Sequence, residues 1–149
     1  MIREFVKEKL ELIMKEEIKN WLKGWNFEFE DIGNHKYDPE DDYPDFAWPA
    51  ALKVGSDPSA RGILICRSGQ GESIVANKAR NVRAAIAWNE HTAHAARNDD
   101  DANILCLPSD YVTLDAAHAI IHEFLMTKFG KDERFARRRD KVLKLEQNL

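Results

Sequence analysis

Cysteine is scarce in this chain. Cys66 and Cys106 are the only two among 149 residues, each at the end of an apolar run and without C-x-x-C or Cys/His ligand spacing. Two isolated thiols argue against a disulfide framework or a zinc module, and in a reducing compartment no structural disulfide is expected. Long apolar runs are also missing. None approaches the roughly 18 residues of a membrane span, and MIREFVKEKLELIMKEE carries acidic residues throughout where a secretory signal would be continuously apolar. The expectation is a cytoplasmic protein without a membrane partner. Positive charge is not in excess: 22 Lys and Arg face 26 Asp and Glu, a formal net charge of -4. That balance argues against general nucleic-acid binding, although RFARRRDK at 134–141 gathers a local basic patch. There is no internal repeat and no low-complexity tract.

The chain is 44% hydrophobic and 32% charged, enough at this length to bury one real core, so a single domain over residues 1–149 is predicted. Apolar, β-branched runs alternate with segments of helical period, the pattern of an α/β fold with a parallel sheet covered by helices on both faces. Strands are predicted at 27–32 (FEFEDI), 62–66 (GILIC), 82–87 (VRAAIA) and 103–107 (NILCL). Helices are predicted at 8–23, 45–54, 72–78, 90–97, 114–129 and 131–145. GILIC is apolar without alternation, as a strand buried on both faces should be. Residues 2–6 (IREFV) read either as a first strand or as the start of a long helix, and local propensity favours the helix. Residues 39–49 and 55–60 read as loops within the domain.

The stretch ICRSGQGESIVANK at 65–78 places Cys66 at the C-terminal end of a strand. In an open parallel sheet, ligands collect there, facing the N–H groups of the next helix. Ser68, Gly69, Gln70 and Gly71 form a turn that lets backbone amides approach an oxyanion or enediolate. No Gly-Lys-Ser/Thr follows, so it is not a nucleotide phosphate loop. Cys66 is either a base or nucleophile or a small buried hydrophobe. Glu72 is either a general base beside it or a first-turn residue favoured by the helix dipole. His91 and His94 precede Asp99, Asp100 and Asp101, a superficial likeness to a metal site that lacks a well-spaced third ligand; a solvated helix end is the simpler reading. Arg134, Arg137 and Arg138 can share one helix face and grip a phosphate, or can simply complement a helix end.

GILICRSGQGESIVANK, followed by VRAAIAW and DANILCL, resembles the ribose-5-phosphate isomerase B and galactose-6-phosphate isomerase family, whose members carry GILICGTGIGMSIAANK-like sequence before RAAL and DANVL. The likeness extends to KEEIKNWL at 15–22, DDYPDFA at 41–47 and ERFARRRDKV at 133–142, in the family's order. It implies a three-layer α/β/α sandwich with a five-stranded, Rossmann-like parallel sheet, in which IREFV is the first strand. It implies interconversion of aldose and ketose phosphates through a cis-enediolate, with no metal or organic cofactor. It implies homodimers or homotetramers with shared active sites, the C-terminal helix 131–145 serving subunit contacts. By position, Cys66 matches the base that moves a proton between C2 and C1, and Glu72 the glutamate used instead in another branch. Ser68, Gly69 and Gly71, with Gln70 between them, match the enediolate loop. Tyr43 matches an aromatic at the sugar, Asn77 and Lys78 continue the loop motif, and Arg134 and Arg138 match phosphate-binding arginines.

The chain also departs from the pattern. Glu8 and Lys9 stand where members have an Asp-His pair, and Val6 replaces a glycine before it. Asp99 stands where a ring-opening histidine is usual, with Asp100 beside it, and Arg67 replaces the loop glycine after the cysteine. Pro108, Ser109 and Asp110 replace an arginine or small-residue segment after the last strand. The expectation is a sugar-phosphate isomerase, ribose 5-phosphate and ribulose 5-phosphate being the first pair to consider. The alternative is a non-catalytic phosphosugar-binding protein, or one chain of a hetero-oligomer whose partner supplies the missing acid.

Overall fold

The computed structural model describes residues 2–149, with side chains from Glu11 onward. Two of the predicted strands form its centre: β1 (Gly62–Cys66) and β3 (Ile104–Pro108) run parallel in a continuous register from Gly62 opposite Ile104 to Cys66 opposite Pro108. The short β2 (Ala84–Ile86) joins the other side of β3, giving the order β1-β3-β2. Six helices surround this sheet among the described residues: α1 (Ile2–Gly24), α2 (Pro44–Ser56), α3 (Gln70–Ala76), α4 (Glu90–Asp100), α5 (Leu114–Met126) and α6 (Glu133–Glu146).

Alternation along the strands divides the core into two layers, because successive side chains leave a strand on opposite faces. Leu64, Ile104 and Cys106 pack with Ala47, Ala51 and Val54 of α2 and Ala76 of α3. Leu105 and Leu107, joined by Ile63 and Ile65, pack with Met14 and Ile18 of α1, Ala93 and Ala96 of α4, and Ile120, Ile121 and Phe124 of α5. Helices therefore cover both faces, as the apolar strands require. Asn89 caps α4 in a reciprocal box: its side chain accepts from the Thr92 amide at 2.8 Å, and Thr92 Oγ1 accepts from the Asn89 amide at 3.3 Å.

The sheet has three strands among the described residues, not five. IREFV, the first strand implied by resemblance, is instead the opening turn of α1. Apolar residues at 2, 6, 10, 13 or 14 and 18 recur at helical spacing, and the Lys, Glu and Leu between them are strong helix formers. FEFEDI at 27–32 pairs with no strand. Its acidic side chains are drawn to neighbouring helices: Lys15 and Lys19 of α1 each meet Asp31 at 3.3 Å, Lys15 also donates to the Asn34 carbonyl, and Lys53 of α2 meets Glu30 at 2.6 Å. Anchored by side chains to α1 and α2, the segment lies apart from any ladder. Other differences concern ends: the strand predicted at 82–87 shrinks to β2, α4 runs three residues further than predicted, to Asp100, and α5 stops at Met126, where Thr127 turns extended.

Among the described residues, no helix is long and apolar enough to cross a membrane.

Candidate active site

β1 is an edge strand, and its unpaired side lines a cleft of about 1160 Å³ bounded by α1, the segment 27–39 and α2. Brought together at the cleft's end, where β1 meets α3, are Tyr43, Cys66, Arg67, Ser68, Gly71 and Glu72. Two glycines make this junction possible. Gly69, the N-cap of α3, has φ +78°, a left-handed conformation that a side chain would strain. A Cβ on Gly71 would lie 2.6 Å from Cζ of Tyr43, so only glycine lets that ring close over the first turn of α3.

The turn's amides converge on sulfur. The Gly69 N–H donates to Cys66 Sγ at 3.1 Å, and the amides of Ser68 and Glu72 also favour a thiolate. Burial nevertheless dominates and, with the neighbouring Glu72 charge, pushes the thiol up to about 11. Glu72 is 7% exposed, and its Oε2 has no hydrogen-bond partner. Burial, reinforced by the charge of Glu11, pushes its carboxyl up to about 8, against a smaller opposing effect of its hydrogen bond with Cys66. Of the two groups, Glu72 reaches its ionised form nearer neutral pH. Cys106 is fully buried behind them, its thiol held neutral chiefly by burial. Both cysteines are free.

Arg67 does not plug the cleft. It lies at the rim, more than half exposed, with Nε donating to Asp110 Oδ2 at 3.2 Å. Gln70 opens α3 on the exposed side, its amide facing Ser68 Oγ at 3.4 Å.

Several expected residues are elsewhere in the chain. Asn77 is a structural link: its side chain donates to the carbonyls of Ser73 and Ala84 and accepts from the Ala84 amide, each at 2.9 Å, tying α3 to β2. Asp99 and Asp100 belong to the last turn of α4, away from the cleft lining, and Asp99 accepts from Asn98 at 2.7 Å. The turn is locked by Arg97, 4% exposed, which donates to Asp101 and to the Ala102 carbonyl. Arg134 and Arg138 lie on α6, also away from the cleft, with Arg134 held by Asp132 at 2.6 Å. The side chains of Glu8 and Lys9 lie outside the described residues. His94 contacts Glu123 at 2.7 Å, and no group of three His, Cys, Asp or Glu converges on a metal-sized site among the described residues.

Nothing in the pattern along the chain singles out Glu11. It sits on an amphipathic helix where a carboxylate normally faces water, yet it lines the cleft and accepts a hydrogen bond from Ser109 Oγ at 3.4 Å. Its neighbour in space, Ser109, comes from the loop after β3, so only the folded chain unites them.

The sequence profile of the Ribose/Galactose Isomerase family matches residues 6–142. A probable ribose-5-phosphate isomerase B of Mycoplasma genitalium is 42% identical over 138 residues, covering 91% of this chain and 90% of its own. Ribose-5-phosphate isomerase B of Mycobacterium tuberculosis is 37% identical over 134 residues, covering 90% and 83%. Among solved structures, ribose-5-phosphate isomerase B from M. genitalium with bound ribulose-5-phosphate superposes with a TM-score of 0.90 at 40% identity, over 94% of this chain and 92% of that one. The chain therefore belongs to the Ribose/Galactose Isomerase family.

Proposed function

We propose that this chain is an aldose-ketose isomerase that interconverts ribose 5-phosphate and ribulose 5-phosphate. The observation that carries the reading is the buried Glu72 carboxyl, with one oxygen unpartnered, at the end of an open cleft beside Cys66 and a glycine turn. The relatives named above carry that activity in their names, and one was solved with ribulose-5-phosphate.

In the proposed reaction, Glu72 as carboxylate takes the proton from C2 of the open-chain aldose. The C2–H electron pair forms the C1=C2 bond, and the C1 carbonyl electrons move to O1, giving a cis-enediolate. The proton on O2 passes to O1, the O2 electrons re-form a carbonyl at C2, and Glu72 returns its proton to C1. A base that titrates near the working pH is well matched to taking a proton and giving it back. Cys66, which needs a much higher pH to ionise, serves as the hydrogen-bonding neighbour of Glu72. Ser68, Gly69 and Gly71 shape the turn at the developing oxyanion, and Tyr43 covers the sugar.

Phosphate binding falls by the family match to Arg134 and Arg138, and neither lines the cleft of its own chain. We assign this to a second copy of the chain, whose α6 presents Arg134 and Arg138. In support, α6 buries none of its own side chains, and its Val142 and Leu145 are 52% and 67% exposed. One domain over 1–149 within such a dimer or tetramer fits this reading. The alternative of a phosphosugar binder without turnover draws on the position of Asp99, which sits on α4 away from the cleft and leaves ring opening without an assigned acid.

The test is proton exchange. With ribose 5-phosphate in deuterated buffer, NMR should show loss of the C2 proton and appearance of ribulose 5-phosphate. Absence of exchange with this and other aldose phosphates would remove the catalytic reading and leave the binder.

A further inference from the structure

Glu11 is the feature that neither the motif nor the proposed reaction uses. It reaches the cleft from α1, opposite the strand and turn that supply Cys66 and Glu72. Ser109 Oγ points at Glu11 Oε1 at 3.4 Å and at the Cys66 carbonyl at 3.2 Å, so one hydroxyl links α1 to the ends of both β1 and β3. No cation pairs with Glu11 among the described residues. The nearby acids are engaged elsewhere: Asp110 with Arg67, and Asp41 with Asn34 at 3.1 Å. Glu72, for its part, has a buried oxygen without a partner.

We propose that Glu11 is a positioning residue of this site, a second carboxyl in the cleft whose charge governs when Glu72 is ionised. This rests on the isomerase reading for its catalytic consequence, and for the coupling on the run of contacts from Glu11 through Ser109 to the Cys66 carbonyl, Cys66 being the hydrogen-bonding neighbour of Glu72 in the same cleft. Two carboxyls that share a partly dry cleft do not ionise independently, because the charge of the first opposes that of the second. Burial raises both, and for Glu72 the charge of Glu11 is the next cause. Among the described residues, the other titratable and charged groups around the pair are Lys15 on α1 (which pairs with Asp31), Cys66 and Arg67 at the end of β1, Cys106 in β3, Asp110 after β3, and Asp41 and Tyr43 ahead of α2. Arg67 favours the ionised form of Glu11, whereas Asp110 and Asp41 oppose it. The effect of Glu11 on the reaction is to keep Glu72 a stronger base, ionised only as the pH approaches its working range.

The experiment follows the carboxyl carbon of Glu72 by NMR across pH in glutamate-labelled protein, with Glu72→Gln assigning the resonance. The parent chain, Glu11→Gln and Glu11→Asp are compared, with kcat/KM for ribose 5-phosphate recorded against pH in parallel. In Glu11→Gln, the Glu72 midpoint and the acidic limb of kcat/KM should both move to lower pH, with about threefold higher kcat/KM on the acidic side as a like charge is removed. Glu11→Asp should restore most of the parent profile. An unmoved midpoint in Glu11→Gln overturns the proposal even if isomerisation continues. A moved midpoint in a chain that isomerises nothing supports the coupling and sinks the isomerase reading instead. Should Glu11→Gln not fold, Ser109→Ala removes the hydroxyl that favours Glu11 ionisation; it too should lower the midpoint, and no change there overturns the proposal.

Discussion

The β1–α3 junction and helix α6 both carry residues that the family motif marks for the site, yet they are opposite physical environments. At the junction, Glu72 is 7% exposed and held near neutrality by burial, among amides, a thiol and a second carboxyl. On α6, no side chain is buried, and Arg134 spends its guanidinium on Asp132 two residues away. The difference teaches that the groups proposed to react are gathered within one chain, whereas those proposed for the phosphate would have to be presented to another chain's cleft. Substitutions at the two regions should therefore separate cleanly, one set changing chemistry and stability, the other changing substrate affinity alone.

The largest effect is expected at Glu72. Glu72→Gln should lower kcat by about 10²–10⁴-fold, the usual worth of a positioned base, while Cys66→Ser should cost far less if the thiol is only its hydrogen-bonding neighbour. The same substitution separates function from stability through pH. Because burial raises the folded-state carboxyl to about 8, the folded chain binds a proton that the unfolded chain releases at the ordinary carboxylate pKa. The stability that goes with protonated Glu72 is fully present below that ordinary value and is lost as pH rises through about 8. Glu72→Gln should thus leave the unfolding free energy nearly unchanged at pH 4 and raise it at pH 9, by an amount on the order of a few kcal/mol. Equal shifts at both pH values would mean that the carboxyl is not strongly perturbed.

Next comes α6. Arg134→Ala with Arg138→Ala should raise KM for ribose 5-phosphate by about 10- to 100-fold, the scale of losing charged hydrogen bonds to a phosphate, with kcat little altered. The melting temperature of the dilute protein should not move, since both side chains are solvated. An unchanged KM would break the comparison by removing α6 from the site, and sedimentation would show whether a second chain is there to use it.

How much of this was legible beforehand depends on whether the signal was local. GILIC, NILCL and the glycine turn declare themselves within a few residues, because buried parallel strands must be apolar and the turn needs a left-handed residue at Gly69. Cys66, Ser68, Gly71 and Glu72 follow from that turn and Tyr43 from the family resemblance, and all five line one cleft. The two further strands expected at 27–32 and, from the resemblance, at 2–6 are not strands among the described residues. FEFEDI alternates like a strand, but its acids find lysines on α1 and α2, and a strand without a ladder partner has nothing to hold it. Residues 2–6 were better described by their own helical spacing than by the family's first strand. Glu11 was illegible for a different reason: what makes it unusual is Ser109, 98 residues away, and no pattern along α1 reports a contact at that separation.

Gly71→Ala tests the packing side of the junction. The added methyl meets the Tyr43 ring at a distance no real Cβ adopts, so either the ring or the first turn of α3 must move. The expected cost is about 1–3 kcal/mol in denaturant unfolding, with a larger loss in kcat/KM than stability alone explains if Tyr43 covers the sugar as proposed. Pairing it with Tyr43→Ala should relieve the clash and return stability without returning affinity.

The smallest effect is expected at Asn77, and it is the finest probe of the contrast. The motif places Asn77 in the same run as Cys66 and Glu72, but its amide is consumed by three backbone contacts to Ser73 and Ala84. If it serves only to dock β2 against α3, Asn77→Ala should cost about 1 kcal/mol or somewhat more, and kcat and KM should stay near the parent values at temperatures where the protein is folded. A KM that rises at unchanged stability would instead place Asn77 with the substrate. The line between what the junction does chemically and what it does mechanically would then have to be drawn beyond α3, at the start of β2.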